Sequence, residues 1–205
     1  MKFNMIKATV VALGVLCAFQ FSACAMLSPA NMTTEKSVLD NIPRDLPNQQ
    51  THLTTLLVLL PEIQAIYDTT QMAYTTRAHQ IAYFSRNEWA GTPSQMMLPL
   101  IVETIRDTHY FKEVLSVPDF GRHTYALRSE ILDLKQDFIS NPATFKLTMR
   151  YYLIREMTDQ VIATRYIAMS VPMRERTPYA GVTAGNEAAE KMLRELVKFL
   201  VEKAS

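Results

Sequence analysis

From Ala143 to Arg155 the chain alternates strictly. Phe145, Leu147, Met149, Tyr151 and Leu153 are apolar, and Lys146, Thr148 and Arg150 between them are polar. A period of two is the mark of a strand with one buried face. Val161–Val171 alternates in the same way, after a turn at Thr158-Asp159. Tyr125–Phe138 predicts a longer strand whose face assignment slips near Glu130, as at a bulge. Val114–Val117 predicts a short one. Leu53–Leu60 is a continuous apolar run stopped by Pro61, which predicts a strand buried on both faces. Thr69–Thr75 and Ala78–Ser85 are rich in Tyr, Thr, Ile and Phe and predict two more strands.

Two segments change period. Thr92-Pro93-Ser94-Gln95 reads as a helix start, with Thr92 as cap, Pro93 in the first helical position and Gln95 closing a capping box. Met97, Leu100, Ile101, Thr104 and Ile105 follow at helical spacing. Pro99 should kink this helix or delay its regular part. Thr177-Pro178 opens a second helix with a stripe of Ala189, Met192, Leu193, Leu196, Phe199 and Leu200, while Gly181 and Gly185 should weaken its first turns. The predicted order is β-β-β-α-β-β-β-β-α. The fold class is α/β in the α+β sense, a mixed β-sheet with two main helices packed on it. The lone tryptophan, Trp89, falls in a short polar joint between a strand and the first helix.

The N-terminus has its own pattern. Lys2 and Lys7 precede an almost wholly apolar Ala8–Phe21, and Ser22-Ala23-Cys24-Ala25 follows. That is a secretory signal, with residues 1–23 removed. Phe21-Ser22-Ala23-Cys24 is similar to a bacterial lipobox, with Phe21 where Leu is usual, so Cys24 is the expected lipidation site. Ala23-Cys24-Ala25 also fits ordinary signal peptidase, and Ala8–Leu27 is long enough for an uncleaved anchor. Residues 24–51, with Pro29, Pro43 and Pro47 and no regular period, read as the lipidated N-terminus and a flexible tether. Residues 52–205 read as one domain.

Composition removes several functions. The net charge is +1, and loss of Lys2 and Lys7 leaves a slight acidic excess, so no concentrated basic face for nucleic acid is expected. The only cysteines are Cys17, in the signal, and Cys24, so the mature domain has no disulfide or thiolate metal site. His52, His79, His109 and His123 are nowhere four apart, and no nucleophile elbow, Walker loop or dinucleotide fingerprint occurs. No catalytic residue, metal or cofactor is expected. Glu103/Asp107 and Glu187/Lys191 read as solvated helix faces, and the methionines as core filler.

Four stretches carry a resemblance: "LLPEIQAIYDTTQMAY", "QIAYFSRNEWAGTPSQMM", "LRSEILDLKQDF" and "AGNEAAEKMLRELVKFL". Together they resemble the ABC-type transport auxiliary lipoprotein component family, over about Leu56–Leu200. Tyr74, Tyr83, Phe84, Trp89 and Pro93 stand at its aromatic and proline positions, and they are the candidate partner-binding or structural motif. Phe199 stands where a Trp is often found. The resemblance implies a fold like the small TolB N-terminal-type domain. It also implies a lipid-anchored protein (palmitate among its acyl groups) on the periplasmic face of the outer membrane. That protein would help an Mce-domain protein of an ABC lipid transport system without catalysis. An adaptor or activator of a cell-wall synthase or envelope scaffold is the alternative. Since exposing each acyl CH₂ to water costs about 0.8 kcal/mol, shielding a lipid calls for several copies, and a homo-oligomeric ring touching the Mce partner is expected. The Leu56–Leu60 run and the Tyr74 and Tyr83 strands are its candidate contact elements. Trp89 is expected to lock the strand-to-helix corner.

Overall fold

The computed structural model describes residues 33–119 and 121–204. Residues 1–23 and Cys24 lie outside them. The framework is the alternating stretch. β7 (Tyr125–Asp137), β8 (Thr144–Arg155) and β9 (Gln160–Pro172) form an antiparallel meander, joined after β8 by a short 3-10 turn over Glu156–Thr158. Asp159 closes that turn at φ 49°, a left-handed conformation that Asp tolerates better than most residues. The bulge expected near Glu130 falls between Ile131 and Asp133.

The other edge of β7 is shared end to end by three parallel strands. β2 (His52–Val58) pairs at Tyr125–Leu127, β3 (Glu62–Ile63) at Glu130–Ile131 and β4 (Gln71–Thr75) at Gln136–Asp137. β6 (Phe111–Ser116) then adds to β2, β5 (Ala82–Trp89) to β4, and β1 (Glu35–Ser37) to β5. The described residues thus form one mixed nine-stranded sheet. Helices α1 (Pro93–Asp107) and α2 (Pro178–Lys203) pack on it, α1 near β6 and β2, and α2 across β8 and β9.

Several expectations change. Leu53 is 88% exposed and Leu60 46%, and only Leu56, Leu57 and Val58 are buried. Those three lie between β6 and β7, whereas the start of β2 pairs only with β6. The run is therefore central only in its middle, and Leu56–Val58 is not a surface for partners. β5 begins later and reaches Trp89, so Trp89 ends a strand instead of sitting in a joint. Pro99 lies inside a continuous α1, on its exposed side, where the Gln95 carbonyl it leaves unpaired can bond to water. The capping box is formed, with Gln95 N–H donating to Thr92 Oγ1 and Thr92 N–H to Gln95 Oε1.

The two glycines of α2 are points of close approach. A Cβ on Gly181 would sit 2.0 Å from Cδ of buried Gln136, and one on Gly185 would sit 3.0 Å from the Phe145 ring. The helix gives up intrinsic propensity and gains contact with the sheet. Residues 34–51 were expected to be tether but are packed as a strap. β1 joins the sheet, Leu39 is 4% exposed and Pro43 is buried. Without a helical or strand period, proline-rich irregular chain reads as linker. Here the strap is held by side chains distant in sequence, which no local pattern shows.

Candidate functional site

The five residues of the aromatic-proline motif do not converge. Tyr74 and Phe84, on neighbouring strands β4 and β5, face the same side and stack with ring centroids 4.4 Å apart. Both meet Phe138 edge-on, at 6.1 and 6.3 Å. Arg176, just before α2, lies over the Phe138 ring at 5.2 Å, and its Nη2 donates to the Phe138 carbonyl at 2.6 Å. These rings are half-buried, and Ile139 beside them is 53% exposed. Tyr83 points to the opposite face, where its hydroxyl donates to the Ile66 carbonyl at 2.7 Å. Strand alternation forces that split between adjacent positions 83 and 84.

Trp89 is 1% exposed and meets the Phe145 ring edge-on at 6.4 Å. Its Nε1–H has no acceptor among the described residues. Its ring belongs to the core, and its backbone pairs with Ser37 of the strap. Pro93 is buried in the first turn of α1.

Sequence reasoning missed the clasp that holds the strap. Asn186 of α2 is 8% exposed. Its Oδ1 accepts from the Asp40 and Asn41 N–H groups at 2.8 and 3.1 Å, and its Nδ2 donates to the Val38 and Val182 carbonyls at 3.0 and 3.2 Å. One amide thereby satisfies four backbone groups. Further along, Asp45 pairs with Arg194, and Thr51 Oγ1 donates to the His109 carbonyl at 2.8 Å. A groove of about 460 Å³ lies between the strap and α2, walled by Leu46, Pro47, Val197 and Val201. The one available hint was Asn186 on the stripe side of an amphipathic helix, where a polar residue needs partners.

The perturbed titratable groups are held by burial and by structural contacts. Burial raises the Asp137 carboxyl, but Lys146, the Ile139 N–H and the Ser140 hydroxyl together hold it below its usual value. Asp45 is lowered by its bond from Arg194, and Glu202 by Lys203. Burial raises the phenols of Tyr67, Tyr110 and Tyr151, and the Asp133 carboxylate 2.6 Å from the Tyr67 hydroxyl adds to the first. All these groups move further from neutrality, the opposite of what a general acid or base needs. Among the described residues no three His, Cys, Asp or Glu side chains are gathered where a metal ion could be held.

The model of a family described as ABC-type transport auxiliary lipoprotein component matches residues 38–197. No curated protein matches the chain. Among solved structures, a Xanthomonas campestris protein of the DUF330 family is 18% identical, with a TM-score of 0.70 over 82% of this chain and 93% of its own. A second, uncharacterized protein is 12% identical, with a TM-score of 0.66 over 82% and 99%. At these identities the likeness establishes the fold alone.

Proposed function

Since the chain belongs to the ABC-type transport auxiliary lipoprotein component family, we propose that it serves an ABC lipid transport system by contact, without catalysis. Cys24 is the lipidated first residue of the mature chain and anchors it on the periplasmic face of the outer membrane. An Mce-domain protein is its partner. The observation that carries this reading is the extent of the family match. It covers 38–197, from inside the strap to the last turns of α2, so what the family shares is the packed fold apart from β1 and the end of α2. The groups driven away from neutrality agree with a role in contact.

The packed strap shortens the tether. Only residues 24–33 remain between the anchor and the fold, and roughly ten residues reach at most about 35 Å even when fully extended. The domain is therefore held near its membrane, and the partner must come to it. More than one copy is needed to shield an acyl chain, because the exposed apolar residues of one domain are scattered rather than gathered into an enclosing surface. A ring of copies against the Mce partner meets that need.

Cross-linking in cells followed by purification of the full chain is the test. An Mce-domain protein or the permease of an ABC system is the expected adduct, and recovery of cell-wall synthases instead would overturn the transport reading. Cys24→Ser tests the anchor separately. It should leave the protein unprocessed or release it from the membrane, and a processed, membrane-bound variant would refute lipidation at this position.

A further inference from the structure

At one end of the sheet three connections meet. They are residues 76–81 between β4 and β5, residues 138–143 between β7 and β8, and residues 173–177 between β9 and α2. Backbone bonds tie them together. Phe138 N–H donates to the Thr75 carbonyl at 2.9 Å, and Met173 N–H to the Ala143 carbonyl at 2.8 Å. Ile139 is 53% exposed in the β7–β8 turn, and the turn is held firmly. The Ile139 N–H donates to Asp137 Oδ1 at 2.8 Å, and Phe138 packs against Tyr74, Phe84 and Arg176. Tyr179, in the first turn of α2, is 75% exposed. The charges of the three connections are Arg77, Arg174 and Arg176 against one acid, Glu175, all exposed. At the opposite end, the turn after β8 exposes Met157, and its charges are the acids Glu156 and Asp159.

The direction of the chain shows which end lies toward the anchor. β1 runs parallel to β5, β5 antiparallel to β4, and β4 parallel to β7. β1 therefore runs against β7, and the chain enters it from the end that carries Ile139. Cys24 is at most about 35 Å of chain from Thr33. β7 has thirteen residues and spans about 43 Å. The Met157 end would reach the bilayer only with the tether drawn out along the sheet.

We propose that the Ile139 end rests on the lipid surface that holds the anchor. Ile139 and Tyr179 lie at the headgroup level, and the three arginines meet anionic lipid phosphates. A tyrosine with a polar tip suits the membrane–water interface, and an excess of cations is drawn to an anionic leaflet. Both ends expose an apolar residue, so charge and chain direction are what separate them. The Tyr74–Phe84–Phe138 cluster then has a part to play, as the rigid support behind the lipid-facing turn. The inference rests on the Cys24 anchor proposed above and holds whatever the membrane or the transport partner.

The acylated full chain, in vesicles of phosphatidylethanolamine and phosphatidylglycerol, is the material for the test. Ile139→Cys and Met157→Cys each add one reactive thiol, since Cys17 leaves with the signal and lipid blocks the Cys24 sulfur. Each thiol is labelled with a polarity-sensitive fluorophore. Lipids with spin-labelled headgroups should quench the label at 139 and leave the label at 157 unchanged. Arg77→Glu combined with Arg174→Glu should weaken docking at least about fivefold by the same readout, while the circular-dichroism melt stays at the wild-type temperature. A chain that floats with the vesicles but is quenched at neither position, equally at both, or only at 157 would overturn this inference alone. So would quenching at 139 that the double variant leaves intact. A chain that does not float with the vesicles would overturn the anchor as well.

Discussion

The β1 edge and the β9 edge of the sheet solve the same problem in opposite ways. At β1 the strand is only three residues long, yet the strap that follows it is fixed to the helix layer by Asn186 and Arg194. At β9 a strand more than four times as long is covered on one face by α2 and pairs along only one edge among the described residues. The lesson is that edge length and edge stability are separate. A short edge is held in place when side chains from a distant element satisfy the backbone of the chain that follows it. A long edge without such partners leaves its outer backbone groups unpaired within the described residues.

The largest expected effect is on the strap side. Trp89 closes β5 beneath β1, and Trp89→Ala removes a fully buried ring. It should cost about 3–5 kcal/mol, read as a lower melting temperature by circular dichroism. A melt unchanged from wild type would break the assignment of Trp89 to the core. Next is Asn186→Ala. It strands two N–H groups and the Val38 carbonyl, with an expected loss of about 1–3 kcal/mol. Hydrogen exchange should rise at residues 38–41 and remain unchanged in β9, which would separate strap release from global loosening.

A smaller effect is expected midway between the edges, at Asp137 on β7. Its carboxyl is held below its ordinary value, so the stabilisation is complete above the unfolded pKa of about 4. It is lost as pH falls through the lower folded value. Asp137→Asn should cost about 1 kcal/mol near neutral pH and flatten the acid side of the stability curve. A variant with the wild-type pH dependence would show that Lys146 and the Ile139 N–H do not favour the charged form. The smallest effect belongs to β9. Arg165→Ala removes a partly exposed ion pair and a cation–ring contact, and the change in the melt should correspond to less than about 1 kcal/mol. If Arg165→Ala destabilised the chain as much as Asn186→Ala, the contrast between the edges would fail.

Much of this could be read from the chain. The alternation in Phe145–Leu153 and the stripe in α2 both place their residues in the core, and all eleven are buried. The Thr92 box marked the start of α1 because capping is local chemistry. The strap could not be read this way, because its anchors, Asn186 and Arg194, are 145 to 149 residues away from the positions they hold. Nor could the stacking of Tyr74 on Phe84, which needs the register of β4 against β5, although alternation alone separates Tyr83 from Phe84. Gly181 and Gly185 look like weak points to helix propensity, and only the nearness of Gln136 and Phe145 shows why the helix accepts them.

The sequence by itself determined the elements whose cause lies within a few residues. These are the period-two strands, the period-3.6 helices, their caps and the mixed α+β class. Tertiary structure alone decided which edges are open. Three short strands share one side of β7 because β7 is long enough to take them end to end. The strap is fixed to the fold because side chains far along the chain meet its backbone. β9 is free because the chain turns into α2 after Pro172 and supplies no further strand among the described residues. A strand's own residues specify that it will pair, and only the assembled sheet fixes which of its two sides has been used.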